Sequence, residues 1–92
     1  MSAIYKGFCI YRRLDNEVMI YRVFERLGDH CFFVQSADRV RLPVDPVLLR
    51  QHETGFLELL IEAPPEDRDT PHSTIEEAIT AFDGDFGNES GR

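Results

Sequence analysis

The stretch YKGFCIYRRLDNEVMIYRVFERLGDHCFFV, residues 5–34, decides the fold. It holds three runs rich in Val, Ile, Tyr and Phe, separated by Asp15-Asn16 and Gly28-Asp29. Aromatic and β-branched side chains suit a pleated, half-buried surface, while Asn, Asp and Gly suit tight turns. Residues 3–13, 17–26 and 30–36 are therefore predicted as strands of an antiparallel meander, with Gly28 free to take positive φ. A two-residue loop at Asp15-Asn16 sets Ile10 opposite Tyr21, Phe8 opposite Val23 and Lys6 opposite Glu25. A second such loop at Gly28-Asp29 sets Val23 opposite Val34 and Phe24 opposite Phe33.

That register divides the side chains between two faces. One collects Phe8, Ile10, Met19, Tyr21, Val23, Phe32 and Val34. The other collects Tyr5, Cys9, Tyr11, Val18, Ile20, Phe24, Cys31 and Phe33, with Arg13, Arg22 and Arg26 among them. Both faces are apolar, so each needs a cover. Cys9 and Cys31 fall two strands and four residues apart, roughly 15 Å, beyond the reach of a disulfide. Two free thiols point to a reducing, cytoplasmic setting.

Downstream, Ala37-Asp38 breaks the third run, and residues 39–42 are expected as a short edge strand. Asp45 followed by Pro46 is a helix start, predicting one or two turns over residues 47–53 that stop at Gly55. FLELLIEA, residues 56–63, is bounded by Gly55 and Pro64-Pro65 at strand length and is expected as a last strand. On such a strand Glu58 and Glu62 lie about 13 Å apart, too far to share a proton. Residues 64–72 form a surface loop. Ser73 and Glu76 have capping-box spacing, and Ile75, Ala78, Ile79 and Phe82 make one apolar stripe of a helix ending near Gly84. The expected fold is α+β: an antiparallel β-meander of four to five strands packed against a C-terminal amphipathic helix. Residues 1–84 form its single domain, and residues 85–92 a flexible acidic tail.

The chain has 92 residues, 42% of them apolar, and a formal net charge of −7. That fits one small domain and excludes a membrane span, since no uncharged apolar run approaches the roughly 20 residues a span needs. The charge is divided unevenly: residues 1–52 carry a net +2, nearly all the positive charge being arginine, and residues 53–92 a net −9. Glu76, Glu77, Asp83 and Asp85 are the candidate acidic patch.

No catalytic constellation is present. His30, His52 and His72 are scattered without metal-ligand spacing, so no metal and no cofactor are expected. A single amphipathic helix covers only one sheet face. The other must be covered by residues 43–63, by a second copy, or by another protein. The candidate partner-binding residues are Tyr5, Tyr11, Arg13, Ile20, Arg22, Phe24, Arg26 and Phe33, an aromatic and arginine composition typical of interface cores. The expected function is a non-enzymatic protein-interaction module of the inhibitor, antitoxin, immunity or adaptor type. One alternative is single-stranded nucleic-acid binding on the same face, which the acidic half opposes. The other is a ligand-binding domain or enzyme with a pocket near residues 43–55.

Overall fold

The structure is a computed structural model, and it describes residues 3–84. Three antiparallel strands, β1 (Tyr5–Arg13), β2 (Glu17–Arg26) and β3 (Cys31–Arg41), lie in the order β1-β2-β3. Two α-helices follow, α1 (Pro46–Glu62) and α2 (Ile75–Phe82), with a 3-10 turn at Pro65–Asp67 between them. The fold is α+β with three strands where four or five were expected, because both candidate extra strands are something else.

The pairing around β2 is the expected one. Ile10 faces Tyr21, Phe8 faces Val23 and Lys6 faces Glu25. Val23 faces Val34, Phe24 faces Phe33 and Arg26 faces Cys31. The second turn differs in its backbone: the residue with positive φ is His30 (57°) and no described glycine has one. The amide of His30 donates to the carbonyl of Arg26 at 2.8 Å, closing the turn.

Residues 39–42 are not a separate strand. β3 runs unbroken to Arg41 through a bulge, since Ser36 pairs with Arg22 and Val34 with Val23, leaving Gln35 unmatched. One extra residue reverses the alternation beyond it. Ala37 therefore joins the face that carries Val34, and Asp38 moves to the face that carries Arg22.

The predicted strand at 56–63 is a correction. Those residues complete α1, a 17-residue helix that passes through Gly55. Asp45 caps it as expected, its Oδ1 accepting from the amides of Val47 (3.0 Å) and Leu48 (3.4 Å), with Pro46 in the first turn. A glycine costs a helix interior about 1 kcal/mol, and the good helix formers that follow offset this. The real stop is Pro64-Pro65, reached after Ala63 turns to extended geometry.

Each helix covers one face. On the first, Tyr21, Val23, Val34 and Ala78 form a buried cluster flanked by Ile79 and Phe82 from α2. α2 starts one residue later than the Ser73 capping box predicted. Thr74 is the cap, its Oγ1 accepting from the amide of Glu77 at 3.1 Å. On the second face α1 lays the ring of Phe56 on that of Phe24. A Cβ on Gly7 would meet Phe56 Cε2 at 3.2 Å, so glycine gives the helix its close approach over β1. Among the three covers the sequence allows for this face, residues 43–63 are the one observed. No helix among the described residues is long and apolar enough to cross a membrane.

Candidate functional site

The second face is covered along most of its length but not at its hairpin end. α1 begins only at Pro46, and Leu49 is its first residue to turn inward. The tip of the sheet beyond it is left as an open apolar groove of about 530 Å³. Val18, Ile20 and Val40 line it from the sheet, and Leu42, Val44 and Leu49 from the connection and the helix. Tyr11 and Arg13 stand at its rim. Leu42 is 83% exposed and Tyr11 66%. Arg41 and Arg39 approach Glu17 (4.0 and 3.2 Å), whereas Arg13 has no ion-pair partner among the described residues.

Beneath α1 lies a polar cluster. The guanidinium of Arg22 is buried and pairs with Asp38, and the other oxygen of Asp38 lies 3.0 Å from His52 Nδ1. Three elements meet there: Arg22 on β2, Asp38 on β3 and His52 on α1. The bulge at Gln35 brings Asp38 to this face. A cleft of about 350 Å³ opens beside it, lined by Ser36, Gln51, His52 and, from the same helix, Glu58 and Glu62. A histidine held at Nδ1 by a carboxylate has the form of an oriented base. Here no hydroxyl or thiol hydrogen-bonds it, and no metal-binding group of three ligands exists among the described residues. The pair ties the helix to the sheet.

A second polar cluster closes the opposite end. Tyr5 donates to Glu66 Oε1 at 2.6 Å, and Arg26 reaches Glu66 Oε2 at 3.3 Å. Arg26 also donates to both oxygens of Asp29 (3.0 and 2.7 Å) and lies over the ring of Phe33. Burial, the hydrogen bond to Glu66 and its negative charge push the Tyr5 hydroxyl up to about 12. The same hydrogen bond holds Glu66 below the usual carboxylate range. The Arg26 fork holds Asp29 well below it. Burial, with Asp29 beside it, raises the Cys31 thiol, the opposite of what a reactive cysteine needs.

The sequence-predicted site residues are thus divided by α1. Ile20, Arg22, Phe24 and Phe33 are buried beneath it or beside it, and Tyr5 and Arg26 are engaged with Glu66. Tyr11 and Arg13 stay exposed and share the groove. In the acidic patch, Glu76 and Glu77 lie exposed in the first turn of α2. Asp83 accepts from Tyr21 Oη at 2.9 Å and pairs with Arg12 at 3.1 Å. Asp85 and the expected tail at 85–92 lie outside the described residues. Cys9 and Cys31 are free thiols. None of the groove residues Leu42, Val44 and Leu49 was named as a site residue, although Val44 and Leu49 fall in the 43–55 span offered for a pocket. Their one signal is the alternation of Val40, Leu42 and Val44, which runs past the short edge strand expected at residues 39–42.

No protein-family model, curated protein or solved structure matches the chain.

Proposed function

We propose that the chain is a non-enzymatic protein-interaction module, of the inhibitor, antitoxin, immunity or adaptor kind, acting in a reducing compartment. The groove at the hairpin end carries the reading. It gathers apolar side chains, Leu42 and Val44 exposed among them, with Tyr11 at the rim beside Arg13, which has no ion-pair partner among the described residues, and this is the composition of an interface core. The groove takes an apolar side-chain cluster of another protein, with a carboxylate of that protein placed at Arg13. The exposed carboxylates of Glu76 and Glu77 add long-range steering toward a basic surface.

Capture from the native host with three baits tests this. The unmodified chain and Ile61→Glu, altered on a different surface, should retain the same protein, and Leu42→Glu in the groove should lose it. Retention unaffected by Leu42→Glu, or no protein retained by the unmodified chain, refutes the reading.

A second reading, binding of a small cationic ligand in the cleft beside His52, is favoured by Glu58 and Glu62 on its wall. A Glu58→Gln/Glu62→Gln variant that retains every thermal shift of the unmodified chain in a screen of small amines excludes it.

A further inference from the structure

The outer face of α1 carries Val47, Arg50, Thr54, Leu57 and Ile61, at alternating three- and four-residue spacings. At about 100° per residue these positions form one stripe, opposite the His52 and Phe56 positions that meet the sheet. The spacing is that of a two-helix seam. Val47, Leu57 and Ile61 are 59%, 58% and 84% exposed, so the helix presents apolar side chains to solvent on the side away from its own core. Thr54, a short side chain, keeps the middle of the stripe low enough for a second helix to approach.

The charges along the stripe select its partner. From Pro46 to His52 the helix has Arg50 and no acid; from Glu53 to Glu62 it has three glutamates and no base. Neither the Arg50 nor the Glu58 side chain has an ion-pair partner among the described residues. We propose that two copies of this chain associate through the outer faces of α1, packed antiparallel about Thr54. Two-fold symmetry about that residue sets Val47 against Ile61 of the second copy, and Arg50 beside Glu58 of the second copy, each contact made twice. It also opposes the two helix dipoles. A parallel arrangement would set glutamate against glutamate. The seam from Val47 to Ile61 is about 21 Å long, which places the contact below the roughly 800 Å² per partner of a standard interface and in the weak, reversible class.

Sedimentation equilibrium on the full chain, over a range of about 10 to 500 µM, tests this. The apparent mass should rise from 10.6 kDa toward twice that value. Ile61→Glu should weaken association at least about tenfold while leaving the circular dichroism spectrum unchanged, because the side chain touches little in the monomer. Arg50→Glu and Glu58→Arg should each weaken it, and the two together should restore it, which only the antiparallel pairing explains. Leu42→Glu should leave self-association intact, so failure of this contact and failure of the groove are read separately. A monomer at every concentration, a dimer indifferent to Ile61→Glu, or a charge reversal that restores nothing overturns the proposal.

Discussion

The ring of Phe56 lies nearly parallel to that of Phe24, centroids 4.1 Å apart and planes 9° apart. This contact joins α1 to the middle of the sheet, and Gly7 makes room for it on the neighbouring strand. Phe56→Ala should therefore cost about 3 kcal/mol, a large share of the stability of so small a domain. Gly7→Val should cost about 1–3 kcal/mol, since its side chain drives Phe56 off Phe24. Urea unfolding followed by circular dichroism measures both. Equal midpoints for Gly7→Val and the unmodified chain would show that the helix does not rest where the ring stack puts it.

The Arg22–Asp38–His52 cluster gives an asymmetric expectation. Asp38→Ala leaves a buried guanidinium with no counter-charge and should cost about 3–5 kcal/mol. Arg22→Met replaces that charge with an apolar chain of similar length, while Asp38 keeps His52 as a partner, so its cost should be clearly smaller. Thermal melts of the two variants, side by side, decide it. Arg22→Met as damaging as Asp38→Ala would mean that the guanidinium contributes more than its own desolvation costs.

How much of this was legible in the sequence differs from element to element. The three strands, and their register as far as Val34, followed from the side-chain alternation and from taking Asp15-Asn16 and Gly28-Asp29 as two-residue loops, all local features. The bulge at Gln35 leaves no such mark, so Ala37-Asp38 read as a break, and the cluster built on Asp38 was invisible. Residues 56–63 were misread because a short apolar run bounded by Gly and Pro fits a strand or a buried helix equally well. What separates the two is tertiary: the second sheet face needs a cover, and α1, continuous through Gly55, lays Phe56 on Phe24 there. The face read as a candidate partner surface is covered for most of its length by the chain's own next segment, α1, which lays Phe56 on Phe24.

The Tyr5–Glu66 hydrogen bond makes stability depend on pH at both extremes. Tyr5 is raised from 10.0 to about 12 in the fold, so it contributes stability that is fully present below pH 10 and is lost as pH rises through 12. Glu66 is lowered from its ordinary value, so its contribution is present above that value and is lost as pH falls below it. Tyr5→Phe should flatten the melting temperature between pH 10 and 12 relative to the unmodified chain, and should remove one late step from the absorbance titration of tyrosinate. An unchanged titration would mean that the late-titrating hydroxyl belongs to Tyr21, which burial and Asp83 also raise.

The start of α2 offers a test between two adjacent residues. Ser73-x-x-Glu76 and Thr74-x-x-Glu77 both have capping-box spacing, and in the structure Thr74 is the cap. Its Oγ1 accepts from the amide of Glu77, while the Ser73 hydroxyl donates only to the Glu77 side chain at 3.3 Å on the surface. Losing a cap leaves a helix amide without its partner and costs about 1 kcal/mol, whereas an exposed side-chain hydrogen bond is worth a few tenths. Because Ala78, one turn in, is buried against Tyr21 and Val23, fraying of this first turn also loosens the core of the first face. Thr74→Ala should thus lower the urea midpoint distinctly and Ser73→Ala hardly at all. The reverse order would move the helix start back to the residue that the sequence alone suggested.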